Sequence, residues 1–164
     1  MLLTGKYINK LDQKNRMFVP AKFRDSLGSE FILTVSENKN CIQCYSVAEF
    51  ERKFAELESR IGDMLGEDDI LTDLFAETYE VTIDNQGRIS IPVEQRESVG
   101  LESSALVIGM GRHVEIWNEE NFKAYREKAR ENVRKVKDVD ALMREANIEK
   151  RKREASALKN GDLI

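Results

Sequence analysis

The chain has 164 residues, 41% of them hydrophobic and 34% charged, with 26 Lys and Arg against 30 Asp and Glu. That length holds one ordinary domain or two small ones, and the apolar content is enough for a core, which excludes wholesale disorder. No apolar run is long enough for a membrane span, the opening residues lack the apolar stretch of a secretory signal, and a net charge of −4 argues against a uniformly basic nucleic-acid coat.

Tyr7–Leu11 reads as a strand, Asp12–Asn15 as a turn, and Met17–Val19 as a second strand stopped by Pro20, the grammar of a hairpin. A short helix or turn then runs to Gly28, followed by strands at Phe31–Val35 and Cys41–Tyr45. Ser46-Val47-Ala48-Glu49 is a capping box ahead of Phe50, Phe54, Leu57 and Ile61 at helical spacing. The acidic stretch Gly66–Asp69 reads as a linker, with a short helix after it near Ile70–Thr78. The first order then recurs: strand Tyr79–Ile83, turn Asp84–Gly87, strand Ile89–Ile91 stopped by Pro92, a helix to Gly100, and strands Ala105–Ile108 and Val114–Trp117. Asn118 is placed to cap a last helix that meets no Gly or Pro until Gly161. Phe122, Tyr125, Ala129, Val136, Val139, Met143 and Ala146 recur in it at a spacing near 3.5, with Asn132 interrupting, so a coiled-coil-like stripe is expected. Residues after about 155 are expected to fray.

The recurrence is an internal repeat. At an offset of 72 without a gap, columns 7 to 50 share ten identities, among them Asp12/Asp84, Arg16/Arg88, Arg24/Arg96, Gly28/Gly100 and Val35/Val107. Both prolines of the chain fall in one repeat column. A unit of about 50 residues is too small to bury a good core alone, so the copies are expected to pack on each other or on other subunits.

Little supports catalysis. One His and two Cys leave no material for a His-based site, and Cys41-x-x-Cys44 has no second ligand pair, so both cysteines are read as structural thiols. His113 is read as a strand-end residue. Asp12 and Asp84 lack a nucleophile or a phosphate loop, so turn capping outweighs a carboxylate dyad. Charge is more informative. Lys6 to Arg24 carries +5, Glu49 to Glu80 carries −8, and Lys123 to Lys137 carries +5. An acidic chain thus holds a basic N-terminal hairpin, as phosphate binding requires, although a charge run is as often only a solvated face. In both copies an Asp-x-x-x-Arg unit spans the turn and its exit strand. An Asp beside an Arg can orient a guanidinium for bidentate contact with guanine, and a two-stranded ribbon fits the major groove. Asn15 and Gly87, which precede the arginines, are the residue types that best tolerate left-handed backbone.

Three segments, Gly5–Arg24 (GKYINKLDQKNRMFVPAKFR), Val81–Pro92 (VTIDNQGRISIP) and Val107–Trp117 (VIGMGRHVEIW), resemble the MraZ family, bacterial regulators built from two tandem AbrB-like domains. The likeness covers about residues 1–140. One departure is Asn15, where the family usually has Gly. The resemblance implies an α+β fold: two tandem AbrB-like, mainly-β, swapped-hairpin barrel units with pseudo-twofold symmetry, plus a long C-terminal helix. Boundaries are expected at 1–62 for the first repeat, 63–77 for an acidic linker and short helix, 78–130 for the second repeat and 131–164 for a helical tail. It further implies a cytoplasmic, nucleoid-associated repressor that assembles into homo-oligomeric rings. Its partner is double-stranded DNA, at short G-rich direct repeats upstream of the division and cell-wall gene cluster. Carried over residue by residue, Arg16 and Arg88 become the leading base or phosphate contacts, Asp12 and Asp84 their orienting partners, and Lys14 and Gln86 further contacts at the hairpin tips. The charge argument adds Lys10, Lys22 and Arg24 as phosphate contacts or ring-face residues. No catalytic residue, metal, cofactor, small-molecule ligand or membrane contact is expected. The competing reading is an antitoxin-like protein-interaction module whose C-terminal helix carries the function.

Overall fold

The computed structural model describes residues 2–38, 40–62 and 66–160. Two compact units divide it, Met1–Phe122 and Lys123–Ile164. The first contains β1 (Lys6–Lys10), β2 (Arg16–Phe18), α1 (Ala21–Leu27), β3 (Glu30–Val35), β4 (Ile42–Ser46), α2 (Val47–Ile61) and α3 (Glu67–Ala76). It continues with β5 (Thr78–Thr82), β6 (Arg88–Ser90), α4 (Val93–Val99), β7 (Ser104–Gly109) and β8 (Val114–Trp117). A single helix, α5 (Glu119–Lys159), runs on into the second unit. Among the described residues no helix is long and apolar enough to cross a membrane.

The expected local hairpins do not form. β1 pairs with β7 of the other repeat, β5 pairs with β3, and β2 pairs with β6. The reason is length. β2 and β6 have three residues each, cut off by Pro20 and Pro92 at the helix starts, and bury only one side chain apiece. Crossing over sets Met17 opposite Ile89, both 1% exposed, at the centre of the two-stranded sheet. The larger sheet runs β1-β7-β8-β4-β3-β5, all antiparallel, and this order reads the same when the repeats are exchanged. Gln43 faces Glu115 at its middle. The symmetry is therefore a pseudo-twofold passing through Met17/Ile89 and Gln43/Glu115.

The gapless repeat alignment needs one correction. The register pairs Asn9 with Ala105 but Val81 with Phe31, so β7 matches β3 at an offset of 74 rather than 72. Val35 is thus the structural mate of Gly109, and its identity with Val107 is fortuitous. Two extra residues in the α4–β7 connection, where Leu101 is buried, are removed again by a turn two residues shorter between β7 and β8.

Both repeats feed one core. Met17, Phe23, Phe31, Leu33 and Ile42 from the first pack in one cluster with Ile89, Val107, Val114 and Ile116 from the second. This is the outcome expected of half-domains too small to fold alone. Ser46 caps α2 by accepting from the Glu49 amide at 3.2 Å, and Asn118 accepts from the Asn121 amide at 3.0 Å, both as the sequence predicts. Two other expectations fail. Glu67, Asp68 and Asp69 form the first turn of α3 rather than a linker, where acids suit the positive helix end; residues 63–65 lie outside the described ones. α5 does not fray at 155 but holds to Lys159, and residues 161–164 are not among those described.

Cys41 and Cys44 are free and 2% exposed, on opposite sides of the sheet: Cys44 in the main core, Cys41 with Leu106 and Trp117. Burial pushes the Cys41 thiol up to about 12, and it raises Cys44 as well. Both thiols are packed as core side chains. Nearby, Glu115 is 8% exposed and accepts from Trp117 Nε1 at 3.0 Å and Gln43 Nε2 at 3.3 Å, with His113 Nε2 at 2.9 Å. Burial alone would raise its carboxyl; the three partners outweigh that and leave it lowered.

Candidate nucleic-acid interface

The two Asp-x-x-x-Arg turns are built alike, atom for atom. Asp12 Oδ1 accepts from the Lys14 and Arg16 amides, each at 2.9 Å, and Oδ2 accepts from Arg16 Nε at 2.8 Å. Asp84 Oδ1 accepts from the Gln86 and Arg88 amides, each at 2.9 Å, and Oδ2 accepts from Arg88 Nε at 2.8 Å. The Asn15 and Gly87 amides close each turn onto the Asp12 and Asp84 carbonyls at 2.9 and 3.0 Å. Doing so requires positive φ, 59° at Asn15 and 85° at Gly87. Asn15 is the only described non-glycine residue with positive φ, so the departure from Gly leaves the turn intact. Each carboxyl is held below the ordinary 3.8, chiefly by the amide of its arginine, with the Nε bond and the Lys14 or Gln86 amide adding to it against some desolvation.

Exchange of strands brings the two turns together. The Val19 amide donates to Gly87 O at 2.9 Å, and the Ile91 amide donates to Asn15 O at 3.2 Å, so each turn is held by the other repeat. Arg88 Nη1 lies 3.9 Å from Asp12 Oδ2, which already holds Arg16 Nε. One carboxylate therefore sits between both motif arginines. With both Nε atoms committed, the terminal nitrogens are what each guanidinium has left for an outside acceptor. Side-chain exposure of 30% at Arg16 and 18% at Arg88 marks them as partly sheltered from solvent.

The remaining predicted residues divide. Lys14 and Gln86 are exposed at the turn tips, and Lys10 is exposed at the end of edge strand β1. Lys22, on the first turn of α1, donates to Thr4 Oγ1 at 2.9 Å and is tied to the N-terminal segment. Arg24, expected as a phosphate contact or ring-face residue, is half-buried: its Nε donates to Val19 O at 2.9 Å and its guanidinium lies on Gly87. Two residues escaped the sequence reading. Phe18 faces Arg88 across the β2–β6 ladder, is 53% exposed, and lies 5.9 Å from its guanidinium carbon. Asn9 Nδ2 donates to Phe18 O at 2.6 Å and ties β1 to β2. The available signal was an apolar residue between two buried ones, Met17 and Val19, whose column mate Ser90 is polar.

A family model described as "MraZ protein, putative antitoxin-like" matches residues 2–64 and 74–145, a segment for each copy of the turn. The chain belongs to the MraZ family. It is 37% identical over 121 residues to the transcriptional regulator MraZ of Acetivibrio thermocellus, covering 74% of this chain and 84% of that protein. It is 36% identical over 125 residues to the Micrococcus luteus protein of the same name, covering 76% and 86%. With that of Caldicellulosiruptor saccharolyticus it shares 37% identity over 150 residues, 90% of this chain and the whole of the relative. Within this MraZ chain the two copies differ in charge. Lys6, Lys10, Lys14 and Lys22 of the first correspond to Thr78, Thr82, Gln86 and Glu94 of the second. The interlocked turns thus sit between one basic arm and one neutral-to-acidic arm.

Proposed function

We propose that the chain is a sequence-specific, DNA-binding transcriptional regulator that contacts double-stranded DNA through its interlocked turns. The observation that carries this reading is the pair of motif arginines, each fixed through Nε by its own aspartate and joined across the repeats by Asp12. A guanidinium held this way needs little ordering on contact and presents planar donors, the requirement for reading guanine in a groove. A two-stranded ribbon such as β2–β6 has the dimensions to enter the major groove. Arg16 and Arg88 read bases or clamp phosphate; Lys14, Gln86, Lys10 and Lys22 add backbone or flanking contacts; Arg24 chiefly braces Gly87. The relatives' name, transcriptional regulator, supports the regulatory role.

On this reading the targets are short G-rich direct repeats upstream of the division and cell-wall gene cluster. The action is repression, in the cytoplasm at the nucleoid, by a homo-oligomeric ring that multiplies the turn pairs. The test is a gel-shift titration on a duplex carrying such repeats. Arg16→Ala and Arg88→Ala should each weaken binding while the circular dichroism spectrum and oligomer size stay unchanged. Wild-type affinity in both variants would overturn the assignment.

A further inference from the structure

From Val136 to Met143 the apolar stripe of α5 stands open to solvent. None of its side chains is buried, and Val136, Val139 and Met143 on the stripe are 53–59% exposed. Acid-before-base spacings of four, Glu131/Lys135 and Asp140/Arg144, lie off this stripe and favour an exposed helix. Those are exposed-face devices and leave the stripe to something else. The seam, in heptad terms, is Ala129, Asn132, Val136, Val139, Met143 and Ala146. On the C-terminal side it stops at once, because the next two seam positions are Lys150 and Arg153.

The seam and the charge pattern share one centre. From Ala129 to Ala146 the midpoint falls between Lys137 and Asp138. Residues 129–137 hold four bases and one acid, a net +3; residues 138–146 hold three acids and one base, a net −2. Folding this segment against a second copy, head to tail about that midpoint, sets Ala129 on Ala146, Asn132 on Met143 and Val136 on Val139. It lays each +3 block on a −2 block and brings Lys128 opposite Glu149 at the flanking positions. A parallel pairing in register would lay +3 on +3 and −2 on −2; across its flank one attractive pair, Lys135 with Asp140, is offset by a repulsive one, Glu149 with Glu154, so the charged blocks decide. Like charges directly opposed disfavour that arrangement.

We propose that the 129–146 segment of α5 is a self-association surface that pairs antiparallel with the same segment of a second copy of this chain. It is independent of the DNA-binding reading, since it involves no residue of the turns. Within a larger assembly it would join two chains by a contact that uses no residue of the β-sheet unit.

Cysteine cross-linking of the full chain tests it. In an antiparallel pair, residues 129 and 146 of different copies meet, while 129 and 129 stand about 25 Å apart at 1.5 Å per residue. The double variant A129C/A146C should run as a covalent dimer on oxidation, and the single variants A129C and A146C should stay monomeric on a denaturing gel, like the wild type with its buried thiols. Cross-linking of either single variant would mean parallel pairing and overturn the proposal. No cross-link in any variant, with α5 helical by circular dichroism, would overturn it too and favour another protein as the occupant.

Discussion

Gly87→Ala tests the architecture of the paired turns at its tightest point. Gly87 holds a φ of +85°, and an alanine there pays the left-handed penalty of about 1–2 kcal/mol. The new Cβ would also lie 2.7 Å from Arg24 Cζ and Nη1. The guanidinium is the flexible end of its side chain and can move away, but it then gives up the 2.9 Å bond from Nε to Val19 O. That partly buried, charge-assisted bond is worth about 1 kcal/mol after allowance for its exposure. The total loss is ~2–3 kcal/mol, which moves a urea midpoint down by roughly 1–1.5 M at a slope near 2 kcal/mol/M. The assay is urea denaturation followed by Trp117 fluorescence, at one chain concentration for all variants. In an Arg24→Ala background, Gly87→Ala should cost only the backbone part, about 1–2 kcal/mol. Equal costs in the two backgrounds would refute the contact between Arg24 and Gly87. A neutral Gly87→Ala would refute the strained turn altogether.

Glu115→Ala should destabilise by about 2–4 kcal/mol, because Trp117 Nε1 and Gln43 Nε2 lose their buried acceptor; a denaturation midpoint unchanged from wild type would contradict the network. The Asp12 and Asp84 carboxyls are lowered in the folded chain, so their contribution to stability is present above the ordinary 3.8 and is lost as pH falls below it. Asp84→Asn should therefore flatten the acid limb of a stability-against-pH profile, and a limb parallel to wild type would argue against it. With Cys41 pushed up to about 12 and both thiols buried, a disulfide reagent at neutral pH should label neither until denaturant is added. DNA affinity should fall steeply with salt through counterion release, less steeply in Lys14→Ala, as a fluorescence anisotropy series at several salt concentrations would show.

Local chemistry was legible in the sequence; pairing partners were not. Asp12, Asn15 and Arg16, with Asp84, Gly87 and Arg88, announced two identical turns, because Asx capping and positive φ are decided within five residues. The caps at Ser46 and Asn118 were legible for the same reason. The strand exchange was hidden in the residues themselves: alternation in Tyr79, Val81 and Ile83 marks a half-buried strand without naming its neighbour, and only the family resemblance suggested swapped pairing. For that reason Arg24, four residues past a proline on an amphipathic turn, looked like a free cation. Its contact, Gly87, is 63 positions away and belongs to the other repeat. The two-residue slip of β7 escaped for a related reason, since compensating changes in two loops leave flanking identities in place on either side.

On the proposed function, sequence preference on DNA comes from the paired arginines. Selection of bound duplexes from a random pool, run in parallel with the wild type and with R16A/R88A, tests it most directly. Wild-type protein should enrich short G-rich direct repeats, and the double variant, still folded, should enrich nothing. Equal enrichment of the same repeats by both proteins would contradict it.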